Sequence, residues 1–159
     1  MIAITIDTRE QTPLHFDECF VAATRGTLRT GDYAVTGDAG FAVERKSLDD
    51  FVGTVGKGWA RFQREVYRAK DAGFPSFPII VEARLTDLLF AVSEDGASIE
   101  PPPHDHDRMT PGFVLKRIGE LHQLGACVEF ADGPAEAAAL VYAILHARHE
   151  AINGEGEGE

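Results

Sequence analysis

The chain opens on an alternation of apolar and small residues, Ile2-Ala3-Ile4-Thr5-Ile6, and stops on Asp7. That pattern predicts a short strand delivering a carboxylate at its C-terminal end. Gln11 to Thr30 is mixed, with Pro13 near its start and Gly26 inside it, and predicts only a short helix near Phe16 to Ala23. Tyr33 to Thr36 and Phe41 to Lys46 then alternate on either side of Gly37-Asp38-Ala39-Gly40, which predicts a hairpin. Ser47-Leu48-Asp49-Asp50 has the form of a capping box, opening a short helix that ends near Val55. Beyond Gly56-Lys57-Gly58, the residues Trp59, Phe62, Val66 and Ala69 recur at helical spacing, while Arg61, Arg64 and Arg68 share another face.

The continuous apolar run Phe77 to Val81 predicts a buried strand, and Leu85 to Val92 one or two helical turns. Ser93 to Thr110 is nearly devoid of apolar residues and reads as a long loop. Pro111 opens a helix whose stripe is Val114, Ile118 and Leu121 and which ends at Gly125; Cys127 to Phe130 is a short strand. Pro134 opens the last helix, with Ala137, Leu140, Val141, Ile144 and Leu145 buried and an end near His149. The resulting order predicts an α/β fold, a mixed central sheet flanked by helices. Residues 1–150 are expected to form one domain and residues 151–159 a flexible Gly/Glu tail.

Composition adds little except through charge. The balance of 44% hydrophobic and 26% charged residues is that of a globular protein. Two distant cysteines, Cys19 and Cys127, offer neither a disulfide framework nor zinc-ligand spacing. No stretch is long enough to span a membrane, so a cytoplasmic setting, in a bacterium or a phage-infected cell, is expected. The net charge of −11 argues against a nucleic-acid partner, because phosphate contacts need Lys and Arg. Its distribution weakens the objection: residues 1–90 carry −2 of it and residues 91–159 carry −9. Lys57, Arg61, Arg64, Arg68 and Lys70 are interrupted by one acid, Glu65, so a local surface can still be positive.

The acids and bases of the first half form a pattern with chemical content. Asp7 and Glu10 follow the first strand, Asp32 enters the predicted hairpin, and Glu44 and Lys46 stand in its second arm. Period two puts Glu44 and Lys46 on one face and Arg45 on the other. Carboxylates beside an ammonium group can hold a divalent cation and polarise a water, the requirement for cutting a phosphodiester.

The run Asp7-Thr8-Arg9-Glu10, then Leu28 with Gly31-Asp32-Tyr33, then Val43-Glu44-Arg45-Lys46-Ser47 with Asp49, resembles the nuclease domain of the XPF family of structure-specific endonucleases. The likeness extends to Arg61-Phe62 opening a helix, the Pro78 to Glu82 strand and the final helix. It implies a restriction-endonuclease-like fold and a Mg²⁺- or Mn²⁺-dependent DNA endonuclease acting on branched or flap structures in repair, recombination or phage DNA processing. It further implies that Asp32, Glu44 and the Arg45 carbonyl are metal ligands, that Lys46 handles the attacking water or stabilises charge, and that Asp7 and Glu10 line the site. Arg9 and Asp49 would support it or touch phosphate, and Lys57, Arg61, Arg64 and Arg68 would meet DNA. Pairing as a homodimer, through the exposed side of the last helices, or with a DNA-binding partner is implied as well. Neither a tandem helix-hairpin-helix domain nor a helicase domain accompanies the motif, so the chain is expected to resemble the short stand-alone members of phages and bacteria.

Plainer readings stand beside these. A non-catalytic DNA-binding subunit of a nuclease complex is the alternative, although such subunits typically lose the carboxylates and the lysine that are present here. Trp59 and Phe62 fit a core or a dimer contact better than a base-stacking platform, and His104-Asp105-His106-Asp107 fits a solvated loop better than a metal site. His15, His122, His146 and His149 have no companions that would make them ligands.

Overall fold

The computed structural model describes residues 1–89, 91–100 and 110–154. Its elements in chain order are β1 (Ile2–Asp7), β2 (Val21–Gly26), β3 (Tyr33–Val35), β4 (Glu44–Ser47), α1 (Leu48–Val55), α2 (Trp59–Asp71), β5 (Phe77–Glu82), α3 (Leu85–Leu89), β6 (Ala91–Val92), β7 (Ile99–Glu100), α4 (Pro111–Gln123), β8 (Ala126–Phe130) and α5 (Pro134–Gly154). Two three-stranded sheets, β2-β1-β3 and β4-β5-β8, form the centre. They are joined by an isolated antiparallel bridge between Tyr33 and Val43. Parallel β1–β2, β4–β5 and β5–β8 pairs with an antiparallel β1–β3 pair make the arrangement mixed, as expected.

Strand β5 shows why its sequence is apolar throughout. Phe77, Ile79 and Val81 point into one core with Phe51, Val55, Phe62, Val66 and Leu121, while Ile80 points into the other with Ile2, Ile4, Ile6, Val141 and Leu145. A strand covered by helices on both faces cannot alternate in polarity. The first core is closed by α1, α2 and α4, the second by α5. Ser47 caps α1, accepting from Asp50 N–H at 3.1 Å, and Thr110 caps α4, accepting from Phe113 N–H at 3.2 Å ahead of Pro111.

Four expectations are corrected. No helix forms near Phe16 to Ala23; Asp17 caps a turn through Cys19 N–H, and Val21–Gly26 is a strand paired residue for residue with β1. Four of its residues, Ala22 to Arg25, are exposed on the sheet edge, so no period-two burial pattern marks it in the sequence. The hairpin reduces to the single Tyr33–Val43 bridge, because β3 pairs with β1 and β4 pairs with β5. Helix α3 stops at Leu89, and Ala91–Val92 instead pairs with Ile99–Glu100, inside the stretch expected to be a loop, as a two-stranded ribbon, β6–β7. Helix α5 continues past His149 to Gly154, and the His104–Asp107 run and residues 155–159 lie outside the described residues.

Candidate active site

The site is built where the two sheets meet. Asp32 is pinned there by its backbone: its carbonyl accepts from Asp7 N–H at 2.8 Å and its N–H donates to Val43 O at 2.9 Å. The chain reaches this position through Gly31, at φ +79°, where an added Cβ would fall 2.7 Å from the Ala42 Cβ. Only glycine fits both the left-handed backbone and the space. The Asp32 carboxylate then accepts from the Arg45 N–H at 2.8 Å, taking the place a third strand would occupy beside β4.

On β4, period two separates the side chains as expected. Lys46 Nζ donates to Glu44 Oε1 at 2.8 Å and lies 4.7 Å from the centre of the Phe62 ring, supplied by α2. Arg45 points the other way, with Nη1 donating to Glu10 Oε2 at 2.8 Å and to Thr12 O at 2.6 Å, and Nε donating to Glu82 Oε1 at 2.6 Å. Glu10 is held further by the Tyr33 hydroxyl at 2.8 Å, which itself accepts from Leu14 N–H.

The five residues expected to act together therefore divide. Asp32, Glu44 and Lys46 share one locale. Asp7, fully buried, has its oxygens engaged by Arg9 N–H, Arg9 Nε and Leu28 N–H, and so fixes the 26–30 loop. Burial works against the Asp7 carboxylate, but these donors outweigh it and hold its pKa below the ordinary value. Glu10 anchors Arg45, and its charge still reaches Asp32. Arg9 is exposed beyond its bond to Asp7, and its pKa is raised by that bond. Asp49 is exposed on the first turn of α1. Lys57, Arg61, Arg64 and Arg68 are all exposed and make no ion pair among the described residues.

Electrostatics distinguish the Asp32–Glu44 pair from the others. Burial raises Asp32 to about 6; the charges of Glu10 and Glu65 add to that, against the Arg45 N–H and Lys46. Burial, and then the charge of Asp32, raises Glu44 to about 8, against Lys46. Two carboxylates that resist ionising side by side form a locale that a cation would stabilise. Among the described residues no three acidic, His or Cys side chains are grouped closely enough to enclose a metal by themselves. Mg²⁺ does not need them, since it is usually held by one or two carboxylates with water and substrate phosphate completing the shell. The hard oxygen donors present fit it.

Sequence reasoning missed Glu82, Tyr33 and Glu65. Glu82 ends a buried strand just as Asp7 does, which was an available signal. Tyr33 adjoins Gly31-Asp32, but its role depends on a segment that folds back from Glu10 to Leu14. Glu65 is half-buried three residues after Phe62, and its charge reaches Asp32, Glu44 and Arg9.

Among solved structures, XPF from Aeropyrum pernix is similar to this chain at a TM-score of 0.66 and 17% identity, covering 98% of this chain and 69% of that one. That likeness gives the restriction-endonuclease-like fold. No curated protein sequence matches the chain. The ERCC4 domain matches residues 6–101, from the end of β1 past β7, a span that includes Asp32, Glu44 and Lys46, and the chain therefore belongs to the ERCC4 domain family, the nuclease family of XPF.

Proposed function

We propose that this chain is a divalent-cation-dependent endonuclease that hydrolyses DNA phosphodiester bonds at branched or flap structures, in repair, recombination or phage DNA processing. The observation carrying this reading is the juxtaposition of two mutually repelling carboxylates, the half-buried Asp32 and the buried Glu44, with the Lys46 ammonium 2.8 Å from Glu44. Asp32, Glu44 and the Arg45 carbonyl would hold Mg²⁺ or Mn²⁺, which supplies charge neutralisation at phosphate and a more acidic water. In an extended strand the N–H and C=O of one residue point to the same side, so the Arg45 N–H bond to Asp32 supports a carbonyl on the Asp32 edge.

The chain's own groups then divide the work. Lys46, kept in place by Glu44 and the Phe62 ring, presents a fixed positive charge to a phosphate oxygen or to the attacking water. Asp7, Arg9, Glu10 and Arg45 hold the elements that carry Asp32 and Glu44 at their separation. The exposed cations Lys57, Arg61, Arg64 and Arg68 take the DNA backbone, with Asp49 at the rim. One domain offers few phosphate contacts, so it works as a homodimer or with a DNA-binding partner.

The test is a panel of labelled flaps, forks, four-way junctions, single strands and duplexes, with Mg²⁺, Mn²⁺ or excess EDTA. Cation-dependent cleavage that disappears in folded Asp32→Asn and Glu44→Gln variants is expected. Full cleavage in EDTA, or no cleavage of any substrate by the wild type or its assembled complex, would overturn the proposal.

A further inference from the structure

A cleft of about 740 Å³ lies beside the candidate active site and not in it. One wall is the Gly26–Thr30 loop and the other is the C-terminal end of α2, with Phe41 and Phe74 between them. Its floor includes Thr5 of β1 and Ala34 of β3, on the sheet face opposite α5. Two cations line it, Arg29 from the loop and Arg68 from α2, both exposed and without an ion pair among the described residues. Of the two acids in the lining, Asp38 is neutralised by Arg148 at 2.7 Å, which leaves Asp71. The cleft is therefore net positive on a chain whose total charge is −11.

The cleft is also coupled to the site by direct bonds. Leu28, in its wall, donates its N–H to Asp7 at 2.7 Å and accepts from Arg9 Nη2 at 3.2 Å, and Asp7 N–H is bonded to Asp32 O at 2.8 Å. The volume falls in the range of roughly 300–1,000 Å³ that encloses ligand-sized molecules. It suits unpaired nucleotides and is too small for a duplex.

We infer that this cleft receives an unpaired DNA strand adjoining the scissile phosphate, with Arg29 and Arg68 on its backbone and the threonine hydroxyls beside them. The inference rests on the reading of the chain as a DNA nuclease and assigns the part of the substrate that makes it structure-specific. Arg29 then contributes to binding alongside the cations of α2, and a substrate lacking a single-stranded arm leaves the cleft empty.

Two variants test it independently. Arg29→Glu reverses a charge, while Ala72→Trp fills the cleft from an exposed lining position without changing charge. Binding of a labelled single-stranded oligonucleotide, a fork and a blunt duplex is measured in EDTA, so that cleavage plays no part. Arg29→Glu should lose about tenfold affinity for the oligonucleotide and the fork, the effect of one charge-assisted bond, and Ala72→Trp should lose a comparable factor by occluding the cleft, each with a smaller change on duplex. Arg29→Ala should flatten the salt slope on the oligonucleotide by about 0.7. An unchanged ratio of fork to duplex affinity in both folded variants would overturn the cleft assignment while leaving the nuclease reading intact. Retained single-strand binding that both variants weaken, with no cleavage by the wild type in Mg²⁺ or Mn²⁺, would overturn the nuclease reading instead.

Discussion

Arg45 offers the clearest quantitative test of how the site is held. Its guanidinium is 13% exposed and sits between Glu10 and Glu82, which are 17% and 16% exposed, so Arg45→Met strands two carboxylates in poorly hydrated surroundings. Breaking a buried ion pair by removing one partner costs about 3–5 kcal/mol. In a domain of this size 1 kcal/mol moves Tm by about 2–4 °C, so Tm should drop by about 6–20 °C, a large part of a total stability of about 5–15 kcal/mol. Adding Glu82→Gln to Arg45→Met should recover part of the loss by removing one stranded charge. The backbone N–H that binds Asp32 survives the substitution, so Asp32 keeps its place below the lowered Tm. Thermal melts of the single and double variants give every quantity. A Tm within about 2 °C of wild type would refute the structural role given to the arginine.

The carboxylate pair sets a pH dependence. Asp32 and Glu44 are raised to about 6 and about 8, so the folded state holds more protons than the unfolded chain, and metal-free stability should fall as pH rises from the ordinary carboxylate range near about 4 up to about 8. In EDTA, melts of Glu44→Gln should be flatter with pH and higher than wild type at the alkaline end, whereas added Mn²⁺ should raise only the wild type. Lys46→Ala should lower turnover by about two to three orders of magnitude, and a loss below threefold would make Lys46 structural. Reversing Arg61 and Arg64 to Glu should flatten a duplex salt slope of about −3 by about 2, and an unchanged slope would leave α2 as a merely solvated face. Gly31→Ala should destabilise the fold measurably in denaturant titration, because it meets both a φ of +79° and the Ala42 side chain; a neutral result would show that the Gly31-Asp32 segment can shift.

Much of this protein was legible before folding because the relevant forces are local. The helical stripes of α2 and α4, the Ser47 and Pro111 helix starts, and the doubly buried β5 follow from periodicity and capping, which depend on near neighbours in the chain. The separation of Glu44 and Lys46 from Arg45 is equally local, a consequence of the two-residue repeat of a strand. The Gly31-Asp32 and Glu44-Arg45-Lys46 signatures carried the family resemblance. Tertiary structure decided the rest. Strand β2 exists because β1 offers it a full parallel register, and its exposed edge leaves no burial pattern to read. The expected hairpin yielded to longer-range pairing, since β4 gains four register positions against β5, whereas its lead-in residue Val43 meets β3 only through the bridge to Tyr33. The grouping of Asp32 with Glu44, and the diversion of Asp7 to Arg9 and Leu28 and of Glu10 to Tyr33 and Arg45, was fixed by contacts between residues far apart in sequence. A carboxylate's role depends on which donors reach it and how much water remains, and neither quantity is written in its position along the chain.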